Sequence, residues 1–299
     1  MADPRRAAVG ALVLVPFLLG AAAGAPGAAD HPVFRFADPE IVESSGLVVL
    51  PGHGRDAGLV VTTNDSGDSG RVFTVDPATG ETVGVTSWAA DPEDVEALAP
   101  AGPGHVWVAD IGDNRHVRDS VEVLRVPVGR GDRQVTPEVR ELVYPDGSHD
   151  AEALVTHPVT GRLHVITKGV FAGTVYAAPQ RLRADRPNLL TEVGDAPGLV
   201  TDATFLPGGG GVVVRTYTKA HLSAFPSWQG VASWELPDQD QGEGVALAGD
   251  GLLVSTEGAR SQVLRVALPA SAGATDLRSP AWTSLRWLAT AYALPLPAG

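Results

Sequence analysis

One short phrase recurs along the chain, and it constrains the fold more than any other feature. A polar or acidic residue followed by small and apolar residues appears as Ser45-Gly-Leu-Val-Val-Leu, Glu96-Ala-Leu-Ala, Glu152-Ala-Leu-Val, Asp202-Ala-Thr-Phe-Leu and Glu243-Gly-Val-Ala-Leu. Each phrase leads through a Gly/Pro/Asp turn into a second apolar run: Leu59 to Thr63, His105 to Asp110, Leu163 to Lys168, Val212 to Tyr217 and Leu252 to Thr256. A third run follows after a polar loop, at Val72 to Val75, Val121 to Val126, Thr174 to Ala177, Ala220 to Phe225 and Val263 to Ala267. Fourth runs read at Thr82 to Trp88, Val139 to Tyr144, Leu189 to Val193 and Val231 to Leu236.

Four short strands in a repeat of about 40 to 50 residues are the pattern of a propeller blade. The sequence therefore predicts an all-β protein, a β-propeller of five blades. A sixth blade, drawn from the tail after Pro269, is the alternative. The fifth repeat lacks a fourth strand of its own. Val33 to Ala37, at the start of the mature chain, is expected to supply it and close the ring, which removes exposed sheet edges. A β-sandwich does not account for the recurring phrase, and the Gly-His and Trp-Asp signature of WD repeats is absent.

Three segments follow. Arg5 and Arg6 precede an apolar run from Ala7 to Leu19 and small residues through Ala29, the layout of a secretory signal, here 1–28. The propeller occupies 31–269. The tail, 270–299, carries Trp282, Arg286 and Trp287 and reads as a packing segment, too short for a confident membrane span. The mature protein is expected to be secreted or extracytoplasmic.

The chain has a net charge of −13 and no cysteine. An acidic surface repels phosphate backbones and argues against nucleic acid, while favouring cations. The missing cysteines exclude disulfides, thiolate metal sites and a cysteine nucleophile.

In a blade the start of the first strand lies beside the end of the second. The repeat acids Glu96, Glu152, Asp202 and Glu243 should therefore share one mouth of the central channel, with Glu43, Asp94 and Asp150 two residues ahead of the phrase. The second strands bring Asp110, Lys168, Arg215 and Glu257 to the same end. Such oxygen donors suit calcium or magnesium, and close like charges call for a neutralising cation. A structural reading stands beside this one, in which strand-start acids accept hydrogen bonds from amides of the next blade. Asn64-Asp-Ser-Gly-Asp-Ser-Gly reads as a tight turn with a possible calcium contact from Asp65 or Asp68. Lys168 and Arg215 either balance the acids or clamp an anion beside a metal, and His149 is the best-placed proton shuttle.

Ser44-Ser-Gly-Leu, Asn64-Asp-Ser-Gly, Asp94-Val-Glu-Ala-Leu with Ala109-Asp, and Gly242-Glu-Gly-Val with Ser255-Thr-Glu resemble the phytase-like secreted β-propellers, including those labelled esterase-like. The resemblance implies calcium bound by mouth acids, here Glu96, Asp110, Glu152, Glu243 and Glu257, and hydrolysis of phosphate esters. This chain departs from it with Ser45 at an acid position, Lys168 at a second-strand end, and one blade fewer. Two functions follow from the sequence: a non-catalytic, calcium-holding binding module for a glycan, peptide or protein, or a calcium-dependent phosphoester or ester hydrolase acting on an anionic small molecule.

Overall fold

The computed structural model describes residues 31–65 and 67–269, which form strands, turns and loops without a helix. The signal segment and the tail lie outside these residues. Blade one is β2 (Ser44–Val49), β3 (Val60–Asn64), β4 (Arg71–Val75) and β5 (Thr82–Ser87). Blade two is β6 (Val95–Pro100), β7 (His105–Asp110), β8 (Val121–Pro127) and β10 (Glu138–Val143). Blade three is β11 (Ala151–Thr156), β12 (Leu163–Thr167), β13 (Ala172–Ala177) and β15 (Thr191–Pro197). Blade four is β16 (Val200–Phe205), β17 (Gly211–Thr216), β18 (Lys219–Ala224) and β19 (Gln229–Glu235).

Blade five is β20 (Gly242–Ala248), β21 (Gly251–Thr256) and β22 (Gln262–Ala267), completed by β1 (His31–Arg35) from the other end of the chain. β1 pairs antiparallel with β22, His31 opposite Arg265 and Arg35 opposite Gln262. The closure expected from the sequence is present, with the strand set two residues earlier than the apolar run indicated. The innermost strands β2, β6, β11, β16 and β20 each contact the next, and β20 returns to β2, so the ring has five members.

Burial explains why the first strands read as nearly continuous apolar runs. β6 and β11 are buried at each of their first five residues, because both faces pack against neighbouring blades. The outer strands β5 and β19 alternate, with one face toward solvent. The core is correspondingly divided into five clusters, each shared by two adjacent blades; one joins Leu98 and Val108 of blade two to Val48 and Val61 of blade one. Inner strands approach so closely that a Cβ on Gly46 would lie 2.4 Å from the backbone nitrogen of Leu98.

Two strands had no sequence signal. β9 (Arg133–Gln134) pairs in parallel with β5, and β14 (Asn188–Leu189) with β10. Each is two residues long and leans from one blade onto the outer edge of the blade before it, covering an edge that would otherwise be open.

Candidate functional site

Every inner strand slips register near its start, at the end of the ring where the second strands finish. The slip falls between Ser44 and Leu47, Val95 and Ala97, Ala151 and Ala153, Val200 and Asp202, and Gly242 and Val245. A bulge of this kind re-aims one side chain out of the ladder. The residues it displaces include Ser45, Glu96, Glu152, Thr201 and Glu243, so the phrase resolves into two hydroxyls and three glutamates.

The three glutamates are nearly buried, at 4%, 4% and 5% exposure for Glu96, Glu152 and Glu243. Burial is the main cause that lifts each above the usual carboxylate range; the Glu152 charge adds to it for Glu96 and Glu243, and Asp150 adds to it for Glu152 against the pull of Lys168. Glu96 and Glu152 share a hydrogen bond, which raises Glu96 and lowers Glu152. Glu243 is raised to about 8. Lys168 answers this charge: its Nζ lies 2.6 Å from Glu152 Oε1 and 5.5 Å from the centre of the Tyr217 ring. Burial opposes the ammonium charge, but the Glu152 carboxylate outweighs it and holds the lysine above its ordinary pKa.

Beside this tier, Asp65, Asp94 and Glu96 each offer a carboxylate oxygen, and the three oxygens lie within 4.8 Å of one another. Asp94 is raised to about 6, by burial first and then by Asp65, Asp150 and Asp110. Gly112 leaves the space these groups occupy: a Cβ there would stand 2.4 Å from Asp94 Oδ2 and 2.6 Å from Glu96 Oε1. An all-oxygen, net-negative donor set of this size fits calcium or magnesium.

Asp110 lies beneath the cluster. Its Oδ2 accepts the Glu93 N–H at 2.8 Å, its Oδ1 accepts the Asp94 N–H at 3.0 Å, and Arg118 donates to Oδ1 at 2.7 Å. Asn64 does the same in blade one, where its Oδ1 accepts from Val42 and Glu43. Asp110 thus fixes the loop that carries Asp94. Glu257 is at the rim, where Gln241 donates to it and burial, Asp65 and Glu43 raise its pKa.

Asp202 and Arg215 stand apart from the mouth tier, and both are fully buried between blades four and five. Thr201 takes the bulge in blade four, which moves Asp202 one position along. There its Oδ1 accepts from Ala203 and its Oδ2 from Val245 of the next blade, both at 2.7 Å. This is the bracing of a neighbouring amide that the structural reading anticipates. Arg215 donates to the carbonyls of Gly244 and Ser255 and to Gln239, at 2.6, 2.7 and 2.7 Å. Burial lowers its pKa to about 10, against the pull of Glu243 and Asp202. Its guanidinium braces two blades and is not offered to an anion in the channel.

His149 sits on the mouth end, in the connector between β10 and β11. Its Nε2 is 3.0 Å from both Asp146 Oδ1 and the Tyr176 hydroxyl, and its ring packs edge-on to Tyr144. This small cluster is separate from the Glu96–Glu152 pair.

Sequence reasoning passed over Tyr217 and Thr201. Tyr217 follows the second strand of blade four as Lys168 follows that of blade three, so aligning second-strand ends would have revealed it. Thr201 needed the equivalence of Ser45 with the acids to be taken as a rule for hydroxyls.

Fold and site together define a five-bladed β-propeller with an acid-lined, lysine-bridged mouth. No family model matches the chain, and no curated protein sequence does. Among solved structures it is similar to a Myxococcus xanthus glutaminyl cyclase, with 11% identity, a TM-score of 0.48, and coverage of 80% of this chain and 97% of that one. It is also similar to a glucose dehydrogenase, at 12% identity, a TM-score of 0.45, and 82% and 88% coverage. A chain of a nidogen/laminin complex gives 16% identity, a TM-score of 0.46, and 79% and 80% coverage. At these values the likenesses carry no argument about function.

Proposed function

We propose that this protein is a non-catalytic binding propeller whose mouth holds a divalent cation, calcium foremost, between Asp65, Asp94 and Glu96. The convergence of those three oxygens within 4.8 Å carries the reading. Glu96 and Asp94 are both raised above the carboxylate range, and a bound cation would relieve that repulsion. Binding is favoured over hydrolysis because the groups an anion clamp needs are engaged elsewhere: Arg215 braces two blades, Lys168 is on Glu152, and His149 is held by Asp146 and Tyr176. With the leader read at 1–28, the protein would work outside the cytoplasm, where calcium modules bind with dissociation constants of about 10⁻⁴ to 10⁻³ M.

The test is calorimetric titration of calcium into the purified, chelator-treated protein and into Asp94→Asn and Glu96→Gln. One site per chain, lost in both variants, supports the reading. Stoichiometric binding that survives both substitutions, or no binding of calcium, magnesium or manganese, overturns it.

A further inference from the structure

The five connectors that lead from an outer strand into the next inner strand all open on the mouth face. Four of them carry at least two acids each, among them Glu40, Glu43, Asp91, Glu93, Asp238 and Asp240. The fifth, between β15 and β16, consists of Gly198 and Leu199 and carries none. Leu199 is 43% exposed. Against this connector lies the turn between β12 and β13, where Val170 is 70% exposed and Phe171 96% exposed. Phe171 is the most exposed of the large apolar side chains among the described residues.

The turn is held in place. Leu199 donates its N–H to the Gly169 carbonyl at 2.8 Å. A Cβ on Gly198 would meet the carbonyl oxygen of Val170 at 2.5 Å and the Phe171 carbonyl carbon at 2.7 Å. One on Gly169 would lie 1.9 Å from the Ala172 carbonyl oxygen. At the base of the same turn, Lys168 is tied to Glu152. The backbone under Phe171 is therefore held, and the ring is displayed to solvent from it. An aromatic on a held backbone has only two side-chain torsions to order on binding, a small entropy cost for the area it buries, which is what a binding anchor requires. An exposed apolar sector next to a strongly acidic rim marks a docking surface.

We infer that Val170, Phe171 and Leu199 form the apolar anchor of a docking face for a polypeptide segment that carries lysine or arginine beside an apolar side chain. The charge of the four acidic connectors selects the cationic partner and also disfavours an anionic membrane, which an acidic rim repels. This inference does not rest on the cation site, since the anchor lies in the one sector whose connector lacks acids.

The test is selection of a phage-displayed library of random twelve-residue peptides on the purified protein, in chelator and in calcium. Affinities of synthesised winners are then measured for the parent chain, Phe171→Ser and Val159→Ser. Val159 is 53% exposed in the β11–β12 turn at the opposite end of the ring, so its variant controls for general stickiness. The expected result is enrichment of peptides with at least two basic residues and an apolar one. Their affinity should fall about tenfold in Phe171→Ser, fall with added salt, and stay unchanged in Val159→Ser. Unchanged melting of Phe171→Ser separates lost docking from lost folding. Failure to enrich any sequence, or winners that bind Phe171→Ser as well as the parent, overturns the inference. Phe171-dependent flotation with phosphatidylserine vesicles, without peptide binding, replaces it with a membrane surface. Loss of calcium binding with peptide binding intact would count against the cation site alone.

Discussion

Ser45 and Thr201 occupy the same place in blades one and four, and each sends its hydroxyl to the backbone carbonyl of the glutamate in the next blade. Ser45 Oγ donates to the Glu96 carbonyl at 2.7 Å, and Thr201 Oγ1 donates to the Glu243 carbonyl at 3.1 Å. The five bulge positions thus divide into hydroxyls that brace and glutamates that gather charge. Ser45→Ala and Thr201→Val each leave a buried carbonyl unsatisfied and should cost about 1 to 2 kcal/mol in urea unfolding. The two sites are in separate blades, so the costs should add within about 0.5 kcal/mol.

Lys168→Met should be more harmful, because it leaves the Glu152 carboxylate buried beside Glu96 and Glu243 without its counter-charge. A loss of about 3 kcal/mol is expected. Adding Glu152→Gln should recover a large part of it. A double-mutant cycle by denaturant unfolding measures this directly, and strictly additive losses would mean the 2.6 Å pair contributes nothing through its charge.

Asp202→Ala should destabilise the chain by about 2 to 3 kcal/mol, since it strands the buried Val245 N–H and the Ala203 N–H and breaks the brace between blades four and five. Its effect on calcium affinity should be within twofold. A large loss of metal binding with little loss of stability would place Asp202 in the mouth after all.

The pH dependence has a defined sign. Glu243, raised from 4.5 to about 8, keeps its proton in the folded protein over a range where the unfolded chain has released it. The folded state then binds more protons, so its stability is greatest below about pH 4.5 for this group and is lost as pH rises toward 8. Asp94 adds the same trend up to about 6. The melting temperature of the chelator-treated protein should fall between pH 5 and 8, and Glu243→Gln should flatten that slope.

Calcium should counter the trend. At about 100 times the dissociation constant, ligand binding adds roughly 2.7 kcal/mol, on the order of 5 to 10 °C in melting temperature for a domain of this size. Glu96→Gln should abolish this shift while leaving the chelated protein at least as stable as the parent, because it removes the carboxyl group that burial and its neighbours most oppose.

The sequence was informative where burial imposes a pattern and silent where geometry decides between neighbours. Blade number, the closing strand and the clustering of Glu96, Glu152 and Glu243 all follow from apolar runs and their spacing, since inner strands must be apolar on both faces. The bulge is not written in any apolar pattern. It shifts the side-chain register by one in blade four and turns Asp202, which matches Glu152 in the repeated phrase, into a brace between blades. Arg215 follows for the same reason: a cation at a second-strand end faces either the channel or the next blade, and only the packing of Gly242 against it, where a Cβ would collide with the guanidinium, shows which. β9 and β14 are two residues long and carry no periodicity to detect.

The pairing of β1 with β22 also has a consequence for assembly. β1 is the first of the described strands to be synthesised and its partner is the last, so the ring cannot be sealed until nearly the whole described chain is present. Until then β1 is an unpaired edge and the inner strand of blade one lacks a neighbour on one side, the condition in which strands seek the wrong partners. Folding of this protein is therefore a race between closure and mispairing, and its outcome depends on contacts of very long sequence separation, which form slowly. Truncations that remove His31 to Arg35 should reveal this as aggregation during refolding before they reveal it as a lower melting temperature.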